Sequence, residues 1–299
     1  MRRRSALFMP GNNPGMLQSG GIHGADGIIL DLEDAVPADS KDSARTLVKH
    51  ALSTLKYPCQ VLVRVNGITT PHWEADIQAV VPCRPDVLVI PKCESTQEMQ
   101  DWDLAVRKLE RQKGIVEGSI RFMCLIESPL GVRNGFEIAK ATPRVESLAL
   151  GCADLTAELG TQVSLEGTEV AYAMGKMLMD ARAAGVYAYD TAYADVENID
   201  GLVARCQISK QMGYDGRPVI SPSHVEIVNT LYCPSQKEIE SAMEIILAAE
   251  EGIRKGRGAI SLNGAMIDAP ILKRARQVLE LAKLMKGGNR YENGSQIRD

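Results

Sequence analysis

The 299-residue chain lacks the features that mark several protein classes. Its seven cysteines are odd in number and form no Cys-x-x-Cys pair, so neither a disulfide framework nor a thiolate zinc site is indicated. Its four histidines, His23, His50, His72 and His224, are widely scattered, which argues against an all-histidine metal site. The net charge of −4 gives no general attraction for nucleic acid or for acidic membrane surfaces. We therefore expect reduced thiols and no nucleic-acid partner.

Long hydrophobic runs are also absent. No segment approaches the ~18 uninterrupted apolar residues that would span a bilayer. The opening Met1-Arg2-Arg3-Arg4 is basic, but Pro10-Gly11-Asn12 breaks the apolar stretch after it before it could serve as a secretory signal. We expect a cytoplasmic protein with no membrane partner. With 45% apolar residues, the chain can bury the core of either one large barrel or two average domains.

Short apolar runs bounded by turn residues alternate with helix-compatible stretches. Eight runs are predicted as strands: Ser5–Met9, Gly27–Leu30, Gln60–Asn66, Asp86–Ile90, Phe122–Ile126, Val145–Leu150, Val186–Asp190 and Arg217–Ile220. Helices are predicted between them at Met16–His23, Lys41–Leu55, His72–Val81, Thr96–Lys113, Val132–Thr142, Glu166–Ala184 and Asn198–Met212. Eight alternations with right-handed crossovers predict a (β/α)8 TIM barrel, with a doubly wound open sheet as the main competitor.

The tail after the eighth strand exceeds what a barrel needs. It comprises a helix at Gln236–Arg254, a glycine-rich hinge at Gly256-Arg257-Gly258, the stretch Ile260–Pro270 and a helix at Ile271–Met285. We predict a catalytic barrel over residues 1–254 and an extension over residues 255–299, which acts as a lid or docks on a neighbouring subunit.

Two apolar runs in the middle of the chain each deliver a carboxylate. Phe122–Ile126 is followed by Glu127, and Val145–Leu150 is followed closely by Asp154. If the two runs are adjacent parallel strands, both carboxylates lie at the same edge and repel each other unless a proton or a cation lies between them. We interpret Glu127 and Asp154 as ligands of one hard cation, Mg²⁺. The alternative is that each caps the helix that follows it.

Other polar residues share this position at or just beyond the carboxyl ends of the predicted strands, where barrel enzymes carry their chemistry. They are Asp31, Glu33, Asp34, Arg64, Lys92, Asp190 and His224. Acids beside an arginine and a lysine are typical of a site that holds an anionic substrate on a metal.

The acidic group after the second strand is expected around the metal rather than on it. Asp31, Glu33 and Asp34 are its members. Asp31 and Asp34 either orient metal-bound water or pair with Lys41 or Arg45, and the sequence leaves both alternatives open.

The remaining rim residues also have two interpretations each. Arg64 suits bidentate binding of a substrate carboxylate but could form a structural ion pair. Lys92 is either a substrate-binding or a surface lysine. The segment Gly151-Cys152-Ala153-Asp154 offers successive backbone N–H groups to a second carboxylate, or is a plain tight turn. For His224 we favour a structural, hydrogen-bonded histidine.

At these residues the sequence resembles the citrate lyase beta subunit and the related citryl-, malyl- and citramalyl-thioester lyases of the HpcH/HpaI aldolase superfamily. The resemblance covers almost the whole chain. It is carried by Phe8–Asn12, Asp31–Val36, Lys41–Arg45, Val63–Asn66, Ile90–Lys92, Ile126–Gly131, Pro222-Ser223 and Leu262–Pro270.

The resemblance implies an oligomeric barrel, commonly a trimer, with Mg²⁺ on Glu127 and Asp154. It implies that Arg64 binds the keto-acid carboxylate and that an aspartate at the position of Asp268 reaches the active site of an adjoining subunit. It further implies contacts to a coenzyme A-like arm from two segments, which are Pro10-Gly11-Asn12 and Pro222-Ser223. Acyl-carrier and transferase subunits are the partners implied by a three-part citrate lyase complex.

We therefore expect a Mg²⁺-dependent retro-Claisen cleavage of a 3-hydroxy-acyl thioester, such as a citryl thioester giving oxaloacetate and an acetyl thioester. Asp268 is the candidate that protonates the leaving enolate carbon. One position departs from the family, since citrate lyase beta subunits usually carry an acid where this chain has Ala153. That departure favours a free-standing lyase acting on a coenzyme A thioester.

Three alternatives remain open. The chain could be a citramalyl-CoA or malyl-CoA lyase, including one that runs in reverse like a malate synthase. It could be a metal-dependent aldolase for free hydroxy-keto acids. It could also be a non-catalytic binding subunit that keeps the site without turnover.

Overall fold

The computed structural model describes residues 2–254, 260–262 and 265–286. Its main sheet consists of eight parallel strands: β1 (Ser5–Pro10), β2 (Gly27–Asp31), β3 (Gln60–Arg64), β4 (Val87–Ile90), β5 (Arg121–Ile126), β6 (Val145–Leu150), β7 (Tyr187–Tyr189) and β8 (Arg217–Val219). Strands covered on both faces need apolar side chains on both, and every residue of β2 and β4 is buried. All eight predicted strands are present.

Helices connect and follow the strands. They are α1 (Pro14–Ser19), α2 (Lys41–Thr54), α3 (Trp73–Val80), α4 (Thr96–Gln112), α5 (Pro129–Arg133), α6 (Gly135–Lys140), α7 (Cys152–Glu158), α8 (Ala171–Ala184), α9 (Ile199–Met212), α10 (Pro222–Tyr232), α11 (Gln236–Arg254) and α12 (Ala269–Lys286). The predicted crossover helix Val132–Thr142 is instead the pair α5 and α6, which meet at Asn134 and Gly135. A Cβ on Gly135 would lie 2.6 Å from the Asp180 carboxylate, so the close approach to α8 requires glycine there.

The strand order is β7-β6-β5-β4-β3-β2-β1-β8, and the ends of this order come together. Closure between β7 and β8 rests on a parallel bridge between Tyr189 and Gly216 and on the Asp190 N–H, which donates to Gly216 O at 3.0 Å. The result is a nearly closed barrel with helices outside, which confirms the predicted TIM-barrel class.

Apolar side chains fill the barrel, and a salt bridge closes its amino-terminal end. The interior cluster includes Ala6, Ile29, Leu62, Val87, Val89, Met123, Leu125, Ala149 and Tyr189. Below it, the fully buried Arg3 donates to Gln60 Oε1 at 2.8 Å and to Glu146 Oε1 at 2.5 Å. The Arg3 backbone N–H donates to the Tyr189 hydroxyl. These contacts fill the amino-terminal end of the barrel.

Strand register sets which residues meet at that end. Ile126 of β5 pairs with Leu150 of β6, so the residues after both strands emerge at one level. Asp31 of β2 pairs with Arg64 of β3 in the same way. The predicted side-by-side arrangement of the strands that carry Glu127 and Asp154 is confirmed.

The chain divides into two compact units, Met1–Thr230 and Leu231–Asp299. In the second unit α11 packs against α12, and β9 (Ile260–Leu262) forms an antiparallel hairpin with β10 (Ala265–Ile267). The compact units therefore divide before α11, whereas residue 254 was predicted as the functional boundary. The hinge at 256–258, residues 263–264 and the end of the tail from residue 287 lie outside the described residues.

Candidate active site

One cavity of about 590 Å³ opens at the carboxyl ends of the barrel strands in the first unit. Its walls combine apolar side chains with five carboxylates and three guanidiniums. The charged residues that line it are Asp31, Asp34, Glu127, Asp154, Asp195, Arg64, Arg205 and Arg217. The predicted residues Gly151, Cys152 and Ala153 line it as well. The structure thus brings together most of the rim residues predicted from sequence.

Glu127 is a buried carboxyl group in this cavity, with 4% of its surface exposed. The Lys92 backbone N–H donates to Glu127 Oε1 at 3.1 Å. Burial and the carboxylates of Glu33 and Asp154 together raise the pKa of Glu127 to about 8, against the opposing effect of the Lys92 amide. With no cation close, Glu127 is therefore mostly protonated at neutral pH.

Asp154 lies on α7, half-exposed, and shares its surroundings with Lys92. The Lys92 ammonium lies 3.6 Å from Asp154 Oδ1. Burial alone would lower the pKa of Lys92, but the carboxylates of Asp154 and Glu33 raise it overall. Lys92 also has a φ of 51°, in the left-handed region that non-glycine residues rarely adopt. This strained backbone directs the Lys92 amide at Glu127 while its ammonium reaches Asp154.

Neither carboxylate provides the N-cap of the helix that follows it. Ser128 caps α5, since its hydroxyl accepts the Gly131 N–H at 3.1 Å. The N-cap of α7 is Gly151, which has no side chain to give, and Asp154 is the third residue of that helix. The capping alternative therefore fails for Glu127 and leaves Asp154 only a first-turn position.

Arg64 and Asp31 form a bidentate ion pair at the adjacent ends of β3 and β2. Arg64 Nε donates to Asp31 Oδ1 at 2.7 Å and Nη2 donates to Oδ2 at 2.5 Å. Arg64 Nη1 lies 3.0 Å from Glu33 Oε2 and 3.6 Å from Asp34 Oδ2. The structural ion pair considered for Arg64 is present. Asp31 accepts hydrogen bonds from Nε and Nη2, so Nη1 is the guanidinium nitrogen outside this pair.

Asp31 pairs with Arg64 rather than with Lys41 or Arg45, which had been one of its two open alternatives. The Lys41 ammonium donates to the carbonyl oxygens of Leu32 and Glu33 at 2.8 and 2.7 Å rather than to Asp31. Arg45 pairs with other aspartates, Asp42 and Asp76. The reason is register, because Asp31 lies directly across from Arg64 in the neighbouring strand while both alternative cations lie on α2.

Glu33 lies beside this pair as a second carboxyl group with a raised pKa. Burial raises its pKa to about 7, against the opposing effect of the Arg64 guanidinium, and the charges of Asp34 and Asp31 add to the rise. Glu33 does not line the cavity itself, but its charge acts on Glu127. Its place around a bound metal stays a prediction.

The backbone amides at residues 151 and 152 already have protein acceptors. The Gly151 N–H donates to Ile126 O at 2.9 Å, and the Cys152 N–H donates to Thr191 Oγ1 at 3.2 Å. Burial raises the pKa of the Cys152 thiol to about 12, so it stays protonated. The amides of Ala153 and Asp154 lie in the first turn of α7 and lack intrahelical acceptors. Binding of a substrate carboxylate by these amides stays a prediction.

The two segments predicted to contact a coenzyme A arm follow neighbouring strands but do not line the cavity. Pro10-Gly11-Asn12 ends β1, Pro222-Ser223 begins α10 after β8, and β1 pairs with β8. Gly11 has a structural role, since its N–H donates to Asp31 O at 2.8 Å and a Cβ there would lie 2.5 Å from that oxygen. Binding of the arm by these segments stays a prediction.

Two further rim residues are buried structural groups. Asp190 pairs with Arg217 in a fully buried ion pair. His224 is also fully buried, with Nε2 3.0 Å from Val196 O, which agrees with the structural role favoured for it. Neither His224 nor Asp190 lines the cavity.

Asp268 belongs to the second unit. It is exposed, and its Oδ1 accepts the Ile271 N–H at 3.0 Å at the start of α12. This capping contact does not test the predicted catalytic role of Asp268, which stays a prediction.

Several cavity residues were missed from sequence, because the prediction selected charged residues and histidine at the carboxyl ends of the strands. They are Arg205 on α9 and the wall residues Val163, Ser164, Leu165, Thr191, Tyr193 and Asn198. Arg205 lies within a predicted helix, and no pattern in the sequence indicates which side of that helix faces the barrel mouth.

Glu127 and Asp154 are the candidate ligands of a divalent cation in this cavity. Among the described residues, no group of three or more His, Cys, Asp or Glu side chains is placed to hold a metal. Glu127 and Asp154 supply two carboxylates beside an open cavity, and Mg²⁺ is commonly bound by one or two carboxylates with waters and substrate oxygens completing its octahedron. Because the pKa of Glu127 is raised partly by neighbouring acids, a cation there relieves their repulsion. The residues fit Mg²⁺.

An eight-stranded parallel barrel with a charged, acid-rich cavity at the strand ends defines a (β/α)8-barrel enzyme. The comparisons with known proteins make the class specific. The family model for HpcH/HpaI aldolase/citrate lyase matches residues 4–222. The chain belongs to this family and is a carbon–carbon lyase, as predicted.

Curated relatives match along nearly the full length. The chain is 44% identical over 282 residues to citrate lyase subunit beta of Haemophilus influenzae, covering 94% of this chain and 97% of that protein. It is 42% identical over 281 residues to the same subunit of Leuconostoc mesenteroides, covering 94% and 93%. It is 35% identical over 281 residues to a (3S)-malyl-CoA thioesterase of Cereibacter sphaeroides, covering 94% of each.

A solved structure supports the fold and the ligand predictions at the level of the family. The protein CitE from Mycobacterium tuberculosis, in complex with magnesium, acetoacetate and coenzyme A, superposes with a TM-score of 0.78 at 26% identity, covering 94% of this chain and 98% of that one. The magnesium and coenzyme A predicted for this chain are thus confirmed as ligands of a relative. No described helix is long and apolar enough to cross a membrane.

Proposed function

We propose that the chain is a Mg²⁺-dependent lyase that cleaves a citryl thioester into oxaloacetate and an acetyl thioester. The observation that carries the proposal is the pair Glu127 and Asp154, which adjacent parallel strands present to one cavity. The identity of 42–44% to citrate lyase beta subunits supports the citryl group. A relative complexed with oxaloacetate and magnesium supports the product.

Glu127 and Asp154 are proposed to hold the ion, which when bound acts as a Lewis acid on the substrate hydroxyl and the carboxylate beside it. Lys92 holds the Glu127 carboxyl through its amide and balances the charge of Asp154 through its ammonium. Arg64, fixed by Asp31, offers Nη1 to the substrate carboxylate, which would displace Glu33 from that nitrogen. These contacts orient the bond that breaks.

Cleavage breaks the bond between the carbinol carbon and the methylene group next to the thioester. The hydroxyl loses its proton as the carbonyl forms, and the released thioester enolate takes a proton on carbon. We assign that second proton to Asp268 of an adjoining subunit. This assignment makes residues 255–299 a functional extension of the barrel and requires an oligomer, for which a trimer is proposed.

The thioester carrier is proposed to be coenzyme A, with Pro10–Asn12 and Pro222-Ser223 at its arm. Ala153, which lines the cavity without an acidic side chain, supports a free-standing enzyme. An acyl carrier protein and a transferase subunit are the alternative partners, in a citrate lyase complex. A cytoplasmic location fits the seven free cysteines.

The second candidate is a citramalyl-CoA or malyl-CoA lyase. The observation that favours it is the 35% identity to a (3S)-malyl-CoA thioesterase over 94% of the chain. The three thioesters share the hydroxyl and its neighbouring carboxylate, which are the groups proposed for the metal.

A panel assay tests the proposed function. Citryl, citramalyl and malyl thioesters of coenzyme A are each incubated with the purified chain in Mg²⁺ or EDTA, and release of the keto acid is followed. We expect oxaloacetate from citryl-CoA in Mg²⁺ alone. Release of pyruvate or glyoxylate instead would establish the second candidate, and release of no keto acid from any thioester would refute both.

A further inference from the structure

Arg205 is a buried cation in the wall of the active-site cavity. It extends from α9, is 3% exposed, and lines the cavity together with Glu127 and Asp154. Its side chain runs beneath Gly167, where a Cβ would lie 1.8 Å from Arg205 Nη1. Gly167 has a φ of +67°, so glycine is favoured at this crossing for its backbone conformation as well as for its size.

The hydrogen bonds of Arg205 go to neutral atoms, and the Glu169 carboxylate interacts with its charge only at longer range. Nη1 donates to the Glu166 carbonyl at 3.3 Å and Nη2 approaches Met174 Sδ at 3.6 Å. Within residues 2–254, 260–262 and 265–286, Arg205 forms no ion pair with a carboxylate. The other two cavity arginines, Arg64 and Arg217, each pair with a buried aspartate.

Burying a guanidinium with no carboxylate in contact is unfavourable, because water is lost and no carboxylate replaces it. A guanidinium has five N–H donors, and Arg205 uses two of them. An arginine of this kind at the wall of an open cavity is suited to an anionic ligand group that arrives with the substrate.

The candidate thioesters differ in one substituent on the carbinol carbon. It is a carboxymethyl group in the citryl thioester, a methyl group in the citramalyl thioester and a hydrogen in the malyl thioester. The groups that the metal pair and Arg64 would bind are common to all three. A second cation in the same cavity that binds the carboxymethyl carboxylate would therefore favour the citryl thioester over the other two.

We propose that Arg205 binds the carboxymethyl carboxylate of the substrate and so makes the enzyme selective for the citryl thioester. The inference rests on the proposed function and names the residue that decides among its substrates. In the citramalyl and malyl complexes the guanidinium stays buried and unpaired, so these substrates lose the gain in binding.

A structural alternative gives a different result. Arg205 also contacts Glu166 and Gly167, which follow the cavity residues 163–165. Glu169 holds this segment by accepting the Ser164 N–H at 2.9 Å and the Ser164 hydroxyl at 2.8 Å. If Arg205 only supports this segment, its loss affects all three thioesters alike.

Arg205→Gln tests the proposal, since the glutamine amide can still donate to the Glu166 carbonyl. We expect kcat/KM for citryl-CoA to fall about 100-fold while that for citramalyl-CoA stays within about 3-fold of wild type. Arg205→Lys keeps the charge but loses the planar guanidinium with its paired N–H donors. Its kcat/KM for citryl-CoA should therefore lie between those of wild type and Arg205→Gln. Ser164→Ala is the matched control, because it removes the hydroxyl that holds the segment to Glu169 and leaves both charges in place. We expect it to change turnover of all three thioesters by one factor.

Calorimetric binding of the keto-acid products in Mg²⁺ separates this inference from the proposed function. Arg205→Gln should weaken oxaloacetate binding about 100-fold and leave pyruvate binding unchanged, whether or not any thioester is turned over. Circular dichroism confirms that the variant is folded. An unchanged ratio of oxaloacetate to pyruvate affinity in folded Arg205→Gln and Arg205→Lys, or an equal loss for both keto acids, would overturn the assignment.

Discussion

At the scale of single residues, the site depends on carboxyl groups that fold in an unfavourable electrostatic environment. Glu127 is buried beside Glu33 and Asp154, and its pKa rises to about 8. In the unfolded chain the same group has an ordinary pKa near 4.5. Between these two values the folded metal-free protein binds more protons than the unfolded protein, so its stability falls as the pH rises and the loss levels off above about pH 8.

Glu127→Gln should remove this loss. We expect the variant in EDTA to gain free energy of unfolding relative to wild type as the pH rises from 5 to 8, by on the order of a few kcal/mol at the plateau. Urea unfolding across this pH range measures the difference, and Glu158→Gln, which removes an exposed carboxylate, controls for the lost charge. A constant difference between Glu127→Gln and wild type from pH 5 to 9 would contradict the environment described for Glu127.

The selection of charged residues at the carboxyl ends of predicted strands found only part of the site. It identified Glu127, Asp154, Asp31 and Arg64, because the carboxyl ends of parallel strands meet at one edge. It did not identify the pairing of Asp31 with Arg64, which depends on the register of two strands. It missed Arg205 entirely, because the orientation of a helical side chain toward the barrel mouth depends on how α9 packs.

At the scale of elements, the separation of β5 and β6 at their carboxyl ends determines whether Glu127 fits. A Cβ on Gly151 would lie 2.4 Å from Glu127 Cγ and 2.7 Å from its Oε2. Glycine at this position therefore lets the carboxyl group lie between the strand end and α7. The sequence predicted a turn at Gly151, but the contact with Glu127 could be seen only with both strands in place.

Gly151→Ala should displace the Glu127 carboxyl group and abolish Mg²⁺-dependent turnover, with a loss of at least about 100-fold in kcat. Gly175→Ala is the matched control, because a Cβ on Gly175 meets nothing within 4 Å and the residue lies within α8. We expect the control to keep wild-type activity and to gain about 0.5–1 kcal/mol of stability. Equal activity of the two variants would show that the close contact at Gly151 has no functional role.

Elements differed in how well the sequence predicted them. Strands were found because each is a short apolar run between turn residues, and the helices because the stretches between those runs are compatible with a helix. The segment from Val132 to Thr142 was predicted as one helix, but the chain bends at Asn134 and Gly135 to accommodate α8. The first turn of the predicted helix at Glu166 is a loop and a 3-10 turn at Thr168–Val170, so α8 begins only at Ala171.

At the scale of the whole molecule, the barrel supplies the proposed metal site, and the second unit carries Asp268. The catalytic assignment of Asp268 requires that it reach a site on another copy of the chain. The barrel could be predicted from sequence because it is built from local alternation, whereas the partner of Asp268 depends on assembly.

Mixing two inactive variants tests the shared site. Asp268→Asn should stop thioester turnover while keto-acid binding in Mg²⁺ persists, and Glu127→Gln should lose both. If the sites are shared, oligomers reassembled from equal amounts of the two variants should regain about a quarter of wild-type activity, since half the subunits supply each intact residue at random. Full turnover by Asp268→Asn would remove it from the mechanism, and mixed oligomers that stay inactive would place both residues on one chain.

Electron paramagnetic resonance of Mn²⁺, used in place of Mg²⁺, shows whether Glu127 and Asp154 share one divalent ion. We expect one bound Mn²⁺ per wild-type chain, competed by Mg²⁺, with a spectrum that changes when oxaloacetate is added. Glu127→Gln and Asp154→Asn should each weaken binding at least about 10-fold. Wild-type Mn²⁺ affinity in both variants would contradict a shared ion.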